Sequence, residues 1–442
     1  MHYSIEKLAK GGTGICRTEG KTWFVEGALP GEQGEAQILD DKGRYGRCRA
    51  ISRENDSPFR NQHDLCPLSC ENKCDGCGFR HVRPENALSL KARAVYETLI
   101  HSARLPEMPY TCLGLDQNDL DHARTRARLH IDHGRMGFYL RESHTVVSAS
   151  SCEVIAPPLR QIIEQLESQL KPHPDWRLDI QLDLDDQNRA FAHFKPVDPM
   201  PAQNRRPGKH ASPRPPEIPV KALGQWAVSA IDHHLFAGIR IGKTQFYGEP
   251  FIRDIIRTES GNETVCYRQI GDFAQATRQA NAWIHQQVEA FVSHYQPQTV
   301  ADLFSGSGNL SFRAAYHAPV VDAYEFYCSQ QAFDRGVCEN QKRWPENHRV
   351  SLHLHDLSRN LPPKAAQADL IICDPARDGL SEKLTSDLCL AKAKAILYVS
   401  CEASCLARDL VRLSGTWKPR KLVFIDMFPQ TPHIETVVLL SR

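Results

Sequence analysis

Four residues near the end of the chain carry side chains that together could perform nucleophilic catalysis. Cys401 follows the apolar run AILYVS, Glu435 begins the last apolar run, and Asp374 and Arg377 lie in CDPARDGL. A thiolate can add to an electron-poor carbon, and a carboxylate can accept a proton in the same reaction. If Cys401 begins a helix, the helix N-terminus lowers the pKa of its thiol. The pattern predicts Cys401 as a nucleophile and Glu435 as a base.

A glycine-rich turn and two acidic residues predict a site for an adenosine-containing ligand. DLFSGSGNLS ends one apolar run, Glu325 closes the next run, and Asp356 ends the third. Glycines let the backbone approach a ligand, and an acid at this spacing accepts a ribose hydroxyl. The turn has no phosphate-binding lysine, which favours S-adenosyl-L-methionine over a nucleotide. The alternative is a structural strand–turn–helix with surface acids.

These residues would bring a thiol, a base and a methyl-donor site together at one edge of a sheet. The combination predicts methylation of uracil at C5. That carbon is a poor nucleophile until a thiolate adds to C6 and converts the ring into an enolate. A base must then remove the C5 proton so that the thiol can leave. Asp374 would hydrogen-bond the pyrimidine edge. For Cys401 taken alone, a buried structural cysteine is the alternative.

The elements that must position these residues form an alternating pattern from about residue 270. Short apolar runs are separated by helical or loop stretches: TVADLF, VVDAYEF, VSLHLHD, ADLIICD, AILYVS and KLVFIDMF. This order is typical of a doubly wound, largely parallel sheet that is covered on both faces. It predicts a Rossmann-like domain over residues 266–442, which together with the methyl-donor site predicted above corresponds to a class I S-adenosyl-L-methionine-dependent methyltransferase domain.

The first part of the chain predicts two further domains, which makes the fold multidomain α/β. Residues 1–60 contain short strand-like runs between glycine turns, the rhythm of a small antiparallel β-barrel. Residues 61–265 mix helical and strand patterns and predict a mixed α+β central domain. A Pro/Arg-rich insertion near 201–219 interrupts it, as a solvated linker or as an arm that touches phosphates.

Composition narrows the class of protein. The 442 residues are 41% hydrophobic and 24% charged, with a formal net charge of +1. The chain has no 18-residue apolar run and no secretory start, so we expect a soluble, cytoplasmic protein without a membrane partner. Basic residues alternate with apolar ones over residues 122–135, as in a strand with one basic face, which suits RNA.

Four cysteines lie within the twelve residues CPLSCENKCDGC, from Cys66 to Cys77. In a long chain with β/α patterning, such a cluster indicates metal ligation rather than a secreted disulfide scaffold. By spacing alone it could be part of a zinc site or of an iron–sulfur site.

Several motifs in order resemble those of the RNA uracil-C5 methyltransferases. They are DLFSGSGNLS, CDPARDG, YVSCEASCLARD and DMFPQTPHIETVVLL. The N-terminal GGTGICRTEGKTWFVEGALPGE resembles a TRAM domain, an OB-like RNA-binding barrel. The resemblance to the bacterial 23S ribosomal RNA branch implies an enzyme that modifies RNA, most plainly ribosomal RNA, and we expect it to be a monomer. It also implies a [4Fe-4S] cluster. The alternatives are a tRNA uridine-C5 methyltransferase, a cytosine-C5 enzyme and a non-catalytic RNA-binding protein of this fold.

The resemblance also implies which residues bind the cofactors. For S-adenosyl-L-methionine it implies Gln275, Phe304, Asn309, Glu325, Asp356 and Asp374, and for the cluster it implies Cys66, Cys74, Cys77 and Cys152. Cys70 is the alternative first ligand, because the family position, 68, is a leucine. The chain departs from the family at Ser305, Thr277 and Glu402–Ala403. A carboxylate at Glu402 would raise the pKa of the adjacent thiol unless it points to the surface.

Overall fold

The structure is a computed structural model that describes residues 1–62, 66, 68, 74, 76–115, 124–140, 143–170, 176–196 and 220–442. The insertion predicted near 201–219 and the alternative ligand Cys70 lie outside these residues. None of the described helices is both long enough and apolar enough to cross a bilayer.

The N-terminal part is a six-stranded sheet around a small core of its own. Its strands are β1 (His2–Ser4), β2 (Lys7–Leu8), β3 (Gly14–Thr18), β4 (Lys21–Glu26), β5 (Gln33–Asp41) and β6 (Tyr45–Ala50), in the order β1-β5-β6-β4-β3-β2. Alternate residues point inward, so Trp23, Val25 and Cys48 are buried. One pair differs from the predicted antiparallel pattern: β4 and β6 run parallel.

Helix α1 and strand β7 follow the cysteine segment and pack on the C-terminal part of the chain. Helix α1 spans Pro84–Ala103 and β7 spans Thr111–Leu113. Strand β7 pairs with the edge strand Lys418–Ile425, and Val95 and Leu99 of α1 are buried in the core of that sheet. The domain boundaries at residues 60 and 265 stay predictions. Residues 84–113 pack on the C-terminal domain, where they cover a sheet edge and an apolar face that would otherwise be exposed.

The central domain is a seven-stranded sheet covered by two helices on one face. The strands are β8 (Arg126–Asp132), β9 (Arg135–Tyr139), β10 (Val146–Ser148), β11 (Leu178–Leu184), β12 (Ala190–Pro196), β13 (Gly238–Ile241) and β14 (Gln245–Gly248), and the helices are α2 (Pro157–Leu170) and α3 (Val220–Asp232). A two-stranded ribbon, β15 (Phe251–Arg257) with β16 (Glu263–Gln269), leads to the next domain. Along β8, Arg126, Arg128 and His130 alternate with buried apolar residues, as the sequence predicts.

The C-terminal domain confirms the predicted doubly wound α/β fold. Its strands are β17 (Thr299–Leu303), β18 (Val320–Glu325), β19 (Arg349–Leu354), β20 (Leu370–Cys373), β21 (Ala395–Ser400), β22 (Lys418–Ile425) and β23 (Glu435–Ser441). Its helices are α4 (Arg278–Tyr295), α5 (Asn309–Ala314), α6 (Gln330–Gln341), α7 (Pro363–Ala366), α8 (Glu382–Leu390) and α9 (Ala403–Leu413). The strand order is β19-β18-β17-β20-β21-β23-β22-β7, and apolar cores cover both faces. Only β23 runs antiparallel to its neighbours within the described sheet.

A buried ion pair ties α1 to the segment that precedes β23. Lys91 Nζ lies 2.9 Å from Asp426 Oδ1 and also donates to the carbonyl of Phe428, at 3.1 Å. Both charged side chains are almost fully buried. A buried pair contributes little net stability by itself, but removing one partner leaves an uncompensated charge.

We therefore expect Lys91→Met to lower the free energy of unfolding by about 3–5 kcal/mol, because Asp426 would remain buried without a cation. Thermal melting measures the change. Arg93→Met is the matched control, because Arg93 lies on the same helix in an exposed pair with Glu97. The double variant Lys91→Met/Asp426→Leu should recover part of the loss. Equal losses in Lys91→Met and Arg93→Met would contradict the argument.

Candidate active site

The ends of five strands meet at one edge of the C-terminal sheet. Strands β17, β18, β20 and β21 are parallel, so their carboxyl ends bring together the glycine turn, Glu325, Asp374 and Cys401. Strand β23 is antiparallel and therefore begins at this same edge. Ser400 pairs with Thr436, which places Glu435 opposite Cys401 in the register.

A cleft of ≈ 610 Å³ opens at this edge. Residues that the sequence singled out line it: Gln275, Phe304, Asn309, Glu325, Asp374, Cys401 and Glu435. Arg126, in the central domain, and Arg268, in the ribbon, also line the cleft. The cleft thus brings together the predicted methyl-donor residues and the predicted catalytic pair.

Asp356 is the exception among the predicted residues. It follows β19 at the same edge, yet it is missing from the described residues that line the cleft. Its carboxylate accepts hydrogen bonds from the hydroxyl and the amide of Ser358, at 2.6 and 3.1 Å, and pairs with Arg359 at 2.9 Å. The Asp356 carboxylate therefore makes its contacts within the local turn. That it binds a ligand stays a prediction.

The glycine turn is held in an unusual backbone conformation. Phe304, Gly306 and Gly308 have φ values of 63°, 55° and 90°. Glu325 accepts a hydrogen bond from the amide of Gly306 at 3.0 Å. A Cβ at Gly308 would lie 2.5 Å from the ring of Phe312. A residue with a side chain at position 308 would therefore meet both strain and a clash.

The side chain of Asn309 is fixed by two residues of α4. Its amide exchanges hydrogen bonds with Asn281, at 2.9 and 3.1 Å, and its Oδ1 lies 3.0 Å from Nε2 of His285. Burial, with the nearby Arg313, lowers the pKa of His285 to about 3, so this ring is neutral. The sequence did not single out Asn281 and His285. Their spacing of four on one helix is the signal that could have identified them.

Two carboxyl groups in the cleft have pKa values raised into the neutral range. Burial raises the pKa of Asp374 to about 7. Burial and the Asp374 charge raise the pKa of Glu435 to about 8, while Arg377 acts in the opposite direction. Gln275 donates from Nε2 to Asp374 at 3.2 Å. Enclosure of several acids in one cleft is typical of functional sites.

The predicted lowering of the Cys401 pKa is wrong. Burial, together with Glu435 and Asp374, raises the pKa of this thiol to about 11, and Arg377 compensates only in part. Helix α9 begins after Cys401, and its N-cap is Glu402, whose carboxylate accepts a hydrogen bond from the amide of Ser404 at 3.2 Å. The helix N-terminus therefore stabilises that carboxylate rather than the thiolate.

Other groups that line the cleft were not singled out. Phe273 and Tyr327 are 76% and 68% exposed, which is unusual for aromatic side chains. The guanidinium of Arg126 lies 6.0 Å from the centre of the Phe273 ring. His433 also lines the cleft, two residues before Glu435. Exposed aromatic rings beside cations suit the stacking of nucleic acid bases.

Comparison with known proteins shows what the chain is similar to. Residues 354–442 match the family model described as tRNA (Uracil-5-)-methyltransferase, and residues 4–51 match the TRAM domain. The chain is 27% identical to the 23S rRNA (uracil(1939)-C(5))-methyltransferase RlmD of Pseudomonas putida, over 99% of this chain and 92% of that protein. The protein of that name from Shewanella piezotolerans is 28% identical, over 100% and 95%.

Over its whole length the chain is similar to RNA uracil-C5 methyltransferases. The predicted family and its class of enzyme are thereby confirmed, and the TRAM domain confirms the predicted nature of the N-terminal barrel. Pyrococcus abyssi tRNA (uracil-54, C5)-methyltransferase, solved with S-adenosyl-L-homocysteine, shares the fold at 21% identity with a TM-score of 0.69. The match covers 100% of this chain and 99% of that one.

The departures from the family pattern lie around the cleft of this uracil-C5 methyltransferase. Ser305 lines it directly. Thr277 is the N-cap of α4, and its hydroxyl lies 3.6 Å from the sulfur of Met427. Glu402 pairs with Lys10 of the TRAM barrel. A cation thus compensates the Glu402 charge, which the sequence could not indicate.

The cysteines of the predicted cluster site lie in one region of this methyltransferase. Two of the four predicted ligands, Cys66 and Cys152, are buried in the core of the central sheet. The other two, Cys74 and Cys77, pack against that core. Burial raises the pKa of Cys77 to about 12, and the neighbouring Cys152 and Cys74 add to the effect. Even so, no group of three or more His, Cys, Asp or Glu residues has a metal-holding arrangement in the part of the chain that the structure describes.

Proposed function

We propose that this protein transfers a methyl group from S-adenosyl-L-methionine to C5 of a uridine in 23S ribosomal RNA. The observation that carries the proposal is the common cleft of Cys401 and Glu435 with the glycine turn and Glu325. The relatives that match the whole chain are named for 23S rRNA. Transfer RNA is the second candidate, because the family model and the Pyrococcus abyssi enzyme carry that name.

The residues fit a bound methyl donor. Glycines at 306 and 308 remove side chains from the turn, and Glu325 faces the cleft as an acceptor for ribose hydroxyls. Gln275, Phe304 and Asn309 would complete this wall. Bound S-adenosyl-L-methionine supplies an electrophilic methyl group.

Cys401 would add to C6 of the uracil ring, and Glu435 would later remove the C5 proton. The raised pKa of Cys401 means that the thiol keeps its proton until it attacks, and that this proton would then pass to a neighbouring carboxylate of the cleft such as Asp374. The raised pKa of Glu435, about 8, makes its carboxylate a stronger base than an ordinary glutamate. Asp374 would donate or accept a hydrogen bond at the pyrimidine edge, while Gln275 holds its other oxygen.

The target uridine must leave any base stack before Cys401 can reach C6. Single-stranded loops offer such bases at the lowest cost. The TRAM barrel and the exposed basic face of β8, including Arg128, would bind the RNA backbone. The exposed rings of Phe273 and Tyr327 would stack on bases at the entrance of the cleft. A cytoplasmic location and a monomeric state stay predictions.

The direct test is incubation with labelled S-adenosyl-L-methionine and RNA from a strain that lacks the enzyme. We expect label in 5-methyluridine at one position of 23S rRNA, mapped by nuclease digestion and mass spectrometry. Label in tRNA alone would favour the second candidate. RNA binding without any label in either RNA would contradict the proposal.

We also propose that Cys66, Cys74, Cys77 and Cys152 hold a [4Fe-4S] cluster that ties the cysteine segment to the central domain. Support comes from the donor set, since four cysteines in one region are the usual ligands of such clusters. The cluster would have a structural role, because methyl transfer requires no electron transfer.

We expect Cys66→Ser to lose most iron and acid-labile sulfide, and Cys70→Ser to keep them, when both proteins are purified without oxygen. The ultraviolet–visible absorbance of the cluster provides a second readout. Full iron content in Cys66→Ser with loss in Cys70→Ser would reverse the choice of first ligand. Zinc without sulfide in the wild-type protein would contradict the cluster itself.

A further inference from the structure

The TRAM barrel contacts the active-site elements directly through the turn between β2 and β3. This barrel turn comprises residues 9–13 and is closed by a hydrogen bond from Ala9 N to Thr13 O at 2.8 Å. Lys10 Nζ donates to the Glu402 carboxylate and to the hydroxyl of Ser404, at the start of α9. Glu402 immediately follows Cys401.

The same turn also packs against the segment that leads to the base. Gly12 has φ +79°, and a Cβ there would lie 2.6 Å from the ring of Phe79 and 3.0 Å from Pro432. Phe79 in turn donates its amide hydrogen to the carbonyl of Gln430, at 2.9 Å. Pro432 lies three residues before Glu435. One turn of the barrel therefore contacts both the nucleophile's helix and the approach to the base.

The geometry points to a positioning role for the barrel turn: we propose that Lys10 fixes the start of α9 and compensates the Glu402 charge beside Cys401. The pair is only partly exposed, with 38% and 33% of the two side chains accessible. An exposed ion pair adds little to global stability. Its effect is local, because an uncompensated carboxylate next to a thiol disfavours the thiolate.

Other charges also act on the Cys401 thiol. Glu435 and Asp374 disfavour the thiolate, and Arg377 favours it. These groups belong to the cleft wall and are unchanged when Lys10 is replaced. The contribution of the barrel turn can therefore be measured by varying Lys10 alone.

The test is the rate at which iodoacetamide alkylates Cys401 as a function of pH, read by mass spectrometry of the tryptic peptide of residues 395–408. We expect Lys10→Met to slow alkylation roughly threefold to tenfold below the thiol pKa, and to lower kcat for methylation in proportion. Lys10→Arg should restore both rates. Lys383→Met, which breaks a lysine–aspartate pair on α8 away from the cleft, is the matched control.

A double-mutant cycle with Glu402→Gln decides whether Lys10 acts through Glu402. Glutamine keeps an oxygen for the N-cap but removes the charge, so Lys10→Met should then have little further effect. An undiminished effect of Lys10→Met in that background would overturn the proposal. So would a Lys10→Met variant that alkylates and turns over normally but binds RNA more weakly with a smaller salt dependence, because Lys10 would then be a phosphate contact.

The expected change in kcat rests on the proposed function, whereas the alkylation rate does not. If the wild-type protein methylates no RNA, the proposed function fails and alkylation still tests the barrel turn. If the wild-type protein methylates RNA and Lys10→Met alkylates at the wild-type rate, only this inference fails.

Discussion

Cys401→Ala is expected to abolish methyl transfer, with a loss of about 10³-fold or more, while RNA binding stays within a factor of about two. Without the thiol, nothing adds to C6, so the ring cannot become an enolate and C5 stays a poor nucleophile. Transfer of labelled methyl groups measures the activity, and filter binding measures the affinity for RNA.

Cys405→Ser is the matched control for this variant. Cys405 lies four residues further along, in α9, and does not line the cleft among the described residues. It should retain methyl transfer. Methylation by Cys401→Ala at the wild-type rate would contradict the covalent mechanism.

Glu435→Gln is expected to arrest the reaction after methyl transfer. Glutamine fills the same volume but cannot remove the C5 proton, so the thiol cannot be eliminated and a methylated RNA remains bound to Cys401. Denaturing gels should reveal this covalent complex with ordinary uridine RNA, at a level far above that of the wild type. A variant that turns over normally and accumulates no complex would contradict the role of Glu435.

The raised pKa of Glu435 also predicts two dependences on pH. Activity should rise as the pH increases toward about 8, because only the ionised carboxylate is a base. Stability should change in the opposite direction. The pKa is raised above the ordinary value of 4.5, so the folded state holds this proton more tightly than the unfolded state does.

The stabilisation is complete below about pH 4.5 and is lost as the pH rises through about 8. Glutamine does not ionise, so the Glu435→Gln variant does not undergo this loss of stability at high pH. It should therefore be more stable than the wild type at pH 9, on the order of 1–3 kcal/mol, and nearly equal at pH 4.5. Thermal melting at several pH values measures the difference. A melting difference that does not grow with pH would contradict the raised pKa.

The sequence predicts the C-terminal fold well because local patterns determine it. Apolar runs of four to eight residues that alternate with helical stretches indicate parallel strands, and the carboxyl ends of such strands share one edge. Glu325 ends one of these strands, and Asp374 and Cys401 each follow another, so their common location could be predicted. Glu435 is harder to place, because its position depends on β23 running antiparallel beside β21.

What the sequence could not predict depends on contacts between distant segments. Strand β7 joins the C-terminal sheet from the middle of the chain, and Lys10 reaches Glu402 across 392 positions. The pKa of Cys401 follows from burial and from two neighbouring acids rather than from its place before a helix. Asp356 is the opposite case. The sequence pattern assigned its side chain to a ligand, but the carboxylate accepts a hydrogen bond within its own turn, from Ser358.

The measurement that tests the central claim most directly is mass spectrometry of the protein after incubation with S-adenosyl-L-methionine and RNA that contains 5-fluorouridine at the target position. Fluorine cannot be removed as a proton, so the reaction should stop at a covalent complex. We predict that the peptide of residues 395–408 carries the methylated nucleotide on Cys401, and that Cys401→Ala forms no complex. Methylation of ordinary uridine RNA by a protein that forms no complex with the fluorinated RNA would contradict the account.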